Sequence, residues 1–185
     1  MKRTLMILSM VMAASVVIAG SPSKELADVP KQLRHHNWGT RGSCTHASIC
    51  TALEYHNQHA LATWWRTTYS GGETIDGSIK KLTDAKVPFT YTETGDMRWL
   101  EWAVRNRMCV VLYHVPAGHC VNLVDMTDTT VTFIDNNNEW EFVSMDRKSF
   151  VQKWLNPYGD GNSGGWAIAL ALTPPPPWPD LTPDR

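Results

Sequence analysis

The chain has 185 residues, 43% of them hydrophobic and 19% charged, which fits one main core and excludes disorder of the whole chain. Seventeen Lys+Arg against 18 Asp+Glu give a formal charge of −1, so the basic footprint that nucleic-acid binding needs is missing. Nine Trp is a high count and suits a core or a groove, because each Trp joins a large apolar face to one donor.

Residues 1–20 have the pattern of a signal peptide. Lys2 and Arg3 precede an uncharged run from Leu5 to Ala19, and Val17 with Ala19, or Ile18 with Gly20, fits a signal-peptidase site. The run is shorter than the roughly 20 residues of a membrane helix. Cleavage near Ala19 or Gly20 is expected, with an uncleaved anchor as the alternative. Position 21 is Ser, which gives no lipoprotein anchor. Losing Lys2 and Arg3 takes the basic count from 17 to 15 and the net charge near −3. The expected location is secreted or periplasmic, with no membrane contact beyond the signal segment.

Residues 21–173 form the expected domain, its globular part starting near residue 30. The lead-in to residue 43 is irregular, with breakers at Pro30, Gly39 and Gly42. Ala47, Ile49, Ala52 and Leu53 predict a helix over 44–57, with Ser43 as N-cap. Further helices are expected over 61–69, 76–85 and 96–107. A short strand over 87–92 is marked as an edge by Pro88. Strands follow over 109–115, 119–126, 131–134 and 140–143, then a helix over 147–155 and a buried strand over 165–172. Helices before an antiparallel meander predict an α+β fold. Residues 174–185 form a tail holding six of the eleven prolines, which enforce an extended, solvated segment.

Cys44 opens a helix, where the N-terminal partial charge stabilises a thiolate. Such a nucleophile needs a base held by a third group. His119 begins a strand directly after Gly118 and can sit at a rim. Sixteen residues later Asp135 ends the next strand, and a hairpin brings the two together. Asn136 is the alternative third group, and alternation along the strand lets only one of the two face the imidazole.

The segment Cys44-Thr45-His46-Ala47-Ser48, continuing through Leu53 and Tyr55, resembles the nucleophile helix of papain-like cysteine peptidases. It is closest to the bacteriocin-leader-processing branch, with the pattern Cys-x-x-Ala-Ser-x-x-x-x-Leu-x-Tyr. Gly118-His119-Cys120-Val121 with Leu123 resembles that branch's Gly-His-x-Val-x-Leu strand, and Val131 to Asp135 its strand ending in Asp. The resemblance implies a papain-like fold, its N-terminal helical half carrying the nucleophile helix and its C-terminal half an antiparallel sheet. It also implies hydrolysis of a peptide or other amide by Cys44, His119 and Asp135 through an acyl-enzyme.

One position departs from that family. The Gln that usually stands six residues before the Cys is Trp38 here. Asn37 is the preferred oxyanion donor beside the Cys44 N–H, with Gln32 and the Trp38 indole as alternatives. The departure keeps open a second reading, an inactive papain-like domain that binds a peptide or protein partner.

A third reading is an exported metal-binding protein. Cys44, His46, Cys50, His56 and His59 share one stretch, but no Cys-x-x-Cys or His-Glu-x-x-His is present. His56 and His59 are expected at a solvated helix end. Neither a metal nor a cofactor is expected. The expected partner is a peptide or protein substrate, and no residue pattern specifies an oligomeric state. Cys50 is expected in the core, Cys109 near Val124 and Cys120 near Tyr113 on paired strands, with no obligate disulfide. Of Trp64 and Trp65, one is expected to pack in the core and the other to cover it, while Trp99, Trp102, Trp154 and Trp166 belong to the core.

Overall fold

The computed structural model describes residues 29–39, 42–114, 118–156 and 164–172. The segment expected to be a signal peptide, the turn residues Pro116 and Ala117, and the Pro-rich tail lie outside the described residues. After a 3₁₀ turn at Lys31–Leu33 come α1 (Cys44–Tyr55), α2 (His59–Thr68), α3 (Ile75–Asp84), β1 (Phe89–Thr92) and α4 (Met97–Arg105). Then follow β2 (Val110–His114), β3 (His119–Met126), β4 (Thr130–Ile134), β5 (Phe142–Asp146), α5 (Arg147–Leu155) and β6 (Ala167–Leu170). The six strands form one antiparallel sheet in the order β1-β6-β2-β3-β4-β5. The fold is α+β, and β1 is an edge strand, as Pro88 requires.

Both faces of the central strands are buried, each by a different set of helices. Cys109, Val111, Cys120, Val124, Ile134, Ile168 and Leu170 pack with Ile49, Leu53, Trp65 and Leu82 of α1 to α3. Their neighbours Val110, Leu112, Val121, Leu123, Phe133, Ala167 and Ala169 pack with Trp99, Leu100, Phe150 and Trp154 of α4 and α5. Period-two alternation feeding two cores explains why the central strands read as continuous apolar runs. The helix–sheet order of the sequence therefore does not place all helices on one side. Among them α1 is the most enclosed: Thr45 through Glu54 are all buried. A helix with no solvent face can hold its first residue still against the sheet.

Strand β5 differs from expectation. Residues 135–141 form a turn instead of starting a strand at Trp140. Asn138 N–H bonds to Asp135 O at 2.9 Å, and Arg34 Nη1 donates to Glu139 O at 2.9 Å. Trp140 is left exposed and the pairing starts at Phe142 opposite Ile134. Asp146 ends β5 and caps α5, accepting from Ser149 N–H at 2.8 Å. Trp65 is the buried member of its pair and Trp64 the exposed cover, while Trp99, Trp102, Trp154 and Trp166 are buried.

Candidate active site

Cys44 is the first residue of α1, where the first N–H groups have no partner within the helix. Ser43 precedes it but does not cap with its side chain. Its hydroxyl instead accepts from Gly71 N–H at 2.8 Å. Asn37 takes over part of the capping, its Oδ1 accepting from Ser43 N–H. Gly39 and Gly42, at φ +80° and +69°, turn the chain into the helix without the Cβ penalty other residues meet there.

His119 starts β3 and Asp135 follows β4, the next strand in the sheet. The hairpin brings them into contact: His119 Nε2 lies 2.7 Å from Asp135 Oδ1. The Cys44 thiol and the His119 imidazole interact through a side-chain hydrogen bond and through charge, each shifting the other's titration. Sulfur, imidazole and carboxylate form one chain of contacts, contributed by α1, β3 and the turn after β4.

The electrostatics follow from these contacts. Burial alone would push the Cys44 thiol up. Hydrogen bonds from His119, the Cys120 backbone and Thr45, together with the His119 charge, outweigh it and bring the thiol below its ordinary range. Burial favours a neutral His119, but the hydrogen bonds and charges of Asp135 and Cys44 raise it to about 9. Both shifts favour a thiolate beside an imidazolium. Burial pushes the other thiols the opposite way, Cys50 and Cys109 to about 12 and Cys120 well up. All four cysteines are free, and β2 and β3 pair Tyr113 with Cys120 as expected.

Asn136 does not face His119. Alternation turns it to the α1 side, where Nδ2 lies 3.1 Å from Cys44 O, 3.0 Å from Ser48 Oγ and 2.7 Å from Cys120 O. Asp135 alone takes the third position. Asn137, in the turn after β4, completes the surroundings. Its N–H donates to Asp135 Oδ1 at 2.9 Å, its Nδ2 lies 3.4 Å from His119 Nε2, and its Oδ1 accepts from Asn37 Nδ2 at 3.1 Å. The signal for it was the Asp-Asn-Asn-Asn run itself, since Asx side chains bond to turn backbone and to one another.

Asn37 thus sits beside the start of α1 with its carbonyl oxygen on Ser43 and one amide hydrogen on Asn137. Among the described residues no acceptor is placed on the second amide hydrogen. Gln32 is exposed on the 3₁₀ turn, and Trp38 packs on the core with the Arg66 guanidinium 4.4 Å from its ring centroid.

The remaining histidines are spread over separate surroundings. α1 ends at Tyr55 because Asn57 takes φ +58°. His56 is half-buried, and His59 opens α2 and bonds to Glu54 across the break. His46 is buried, accepts from Trp65 Nε1 at 3.3 Å through Nδ1 and stacks on Tyr69. Among the described residues no group of three or more His, Cys, Asp or Glu is placed to hold a metal ion. No described helix is long and apolar enough to cross a membrane. No family model matches the chain, and no match is found among curated proteins or solved structures.

Proposed function

We propose that this chain is an exported thiol hydrolase of papain-like fold, a cysteine peptidase or amidase acting through an acyl-enzyme. The observation that carries the reading is the continuous contact of Cys44, His119 and Asp135, with the thiol lowered and the imidazole raised to about 9. The Cys44 thiolate attacks the substrate carbonyl carbon. The oxyanion is held by the Cys44 N–H and the remaining amide hydrogen of Asn37. His119 gives its proton to the departing amine, then takes one from the water that cleaves the thioester. Asp135 keeps the ring oriented and stabilises its charge. The substrate class is a peptide, a cell-wall peptide or another amide.

The test is reaction of the purified protein with iodoacetamide and with a panel of peptide amides. Cys44 is expected to be alkylated selectively at neutral pH, and Cys44→Ala to abolish both alkylation and turnover. An unreactive Cys44 overturns the reading.

A second reading is favoured by Trp38 at the usual Gln position and by the commitments of the Asn37 amide. It is an inactive domain of the same fold that binds a peptide or protein partner. Selective alkylation with no turnover on any amide supports this second reading.

A further inference from the structure

The side chain of Asn136 does no chemistry in the proposed reaction, yet it is 1% exposed and lies at the centre of the site. Three acceptors from two elements converge on its Nδ2: Cys44 O and Ser48 Oγ of α1, and Cys120 O of β3. Two of these are backbone carbonyls, which can only accept, so the amide nitrogen must face them. Cys44 is the nucleophile, and Cys120 directly follows the base. One primary amide therefore ties the backbone of the nucleophile to the backbone next to the base. The Asn136 backbone adds a third tie, its carbonyl accepting from Asn37 N–H at 2.8 Å.

Apolar packing and the bond from Asn122 Nδ2 to Ser48 O at 2.9 Å seat the body of α1 on β3, whereas Asn136 bonds the carbonyl of Cys44 itself, and hydrogen bonds are sensitive to tenths of an ångström and to angle. The amide Oδ1 is buried with no hydrogen-bond partner among the described residues.

We propose that Asn136 is a positioning residue, a buried strut that holds the Cys44 sulfur at hydrogen-bonding distance from His119. The proposal rests on the thiol-hydrolase reading. It predicts that loss of the donor changes the charge state of the pair and not only the stability of the fold.

The experiment is the pH dependence of Cys44 alkylation by iodoacetamide in the full chain. Asn136→Ala and the near-isosteric Asn136→Leu both remove the donor. Each is expected to move the alkylation midpoint upward by about one pH unit, slowing reaction below the wild-type midpoint about tenfold. Ser48→Ala, which leaves both carbonyl bonds, is expected to keep the wild-type midpoint. Circular dichroism confirms which variants are folded. A wild-type midpoint in the ordinary thiol range sinks the thiol-hydrolase reading itself. A lowered wild-type midpoint that stays put in a folded Asn136 variant overturns the strut alone. So does an equal shift in Ser48→Ala, which would mark general loosening. If neither Asn136 variant folds, Asn136 is a folding determinant and the positioning role is also overturned.

Discussion

Three side chains carry the proposed chemistry, and each titrates or orients in a way that can be measured. Cys44 is lowered and His119 is raised to about 9, so the ion pair exists between those two values. Alkylation should rise as pH climbs through a midpoint below the ordinary thiol value. Turnover, which also needs a protonated His119 for the leaving group, should fall again as pH passes about 9. A single ascending limb centred in the ordinary thiol range would contradict the pair. Asp135→Ala should slow acylation at least about tenfold while thiol labelling stays measurable, since it removes the group that orients and charges the imidazole. A full rate in this variant would reduce Asp135 to a turn-capping residue that accepts from Asn137 N–H. For Asn37 the informative change is to Asp, which keeps an oxygen for Ser43 N–H and removes the donor. Steady-state kinetics should show a kcat loss of about 10²–10³, the usual cost of one oxyanion donor. An unchanged kcat would assign the oxyanion to another group.

At the scale of elements, α1 is locked at its start and braced along its length by polar contacts inside an apolar shell. His46, two residues beyond Cys44, is 1% exposed, and burial lowers it to about 4. The Trp65 indole can only donate, so Nδ1 must remain an acceptor. The Nε2 side faces Glu73 at 3.8 Å, and Glu73 is paired in turn with Lys81. A folded-state value below the unfolded 6.5 means that the unfolded chain binds the extra proton between those values. Stability is therefore full above about 6.5 and is lost as pH falls toward about 4, by ~3 kcal/mol from this group. Burial also lowers His35 and His56, and these act with the same sign. Urea unfolding at pH 7 and pH 4.5 should show the loss, and His46→Phe should shrink it. An equal loss in that variant would place the acid sensitivity in other groups.

The whole molecule is closed where two distant segments touch. Gly95, between β1 and α4, donates its N–H to Gly165 O at 3.0 Å, and Gly165 N–H reaches Trp154 O at 2.8 Å. Both glycines have positive φ, and a Cβ on Gly165 would lie 2.2 Å from the Gly95 backbone. No side chain can move aside there. Gly165→Ala should cost about 2–5 kcal/mol through backbone strain and overpacking together. Thermal denaturation should show a fall in Tm of about 5–15 °C. A wild-type Tm would mean that this junction is not rigid.

How far the sequence alone reaches depends on the range of the interaction involved. The start of α1 at Cys44, the strand His119–Met126 and the helix Arg147–Leu155 follow from periodicity and breakers, which act within a few residues. The juxtaposition of His119 and Asp135 follows from a hairpin, still a local event. The pairing of Cys120 with Tyr113 was likewise legible, because a short turn sets the register. Other features depend on partners far along the chain. Ser43 looks like an N-cap, yet Gly71 claims its hydroxyl from 28 residues away. Asn136 and Asp135 are chemically similar candidates beside His119; alternation points them to opposite sides, and the placement of α1 is what gives Asn136 its partner at Cys44 O, 92 residues distant. The turn that displaces Trp140 from β5 is pinned by Arg34, 105 residues before Glu139. Residue types and local periods thus determined which groups could react and which elements would carry them. The direction each polar side chain takes was decided by tertiary packing, because a hydrogen bond depends on where its partner's atom lies and not on the spacing between two letters.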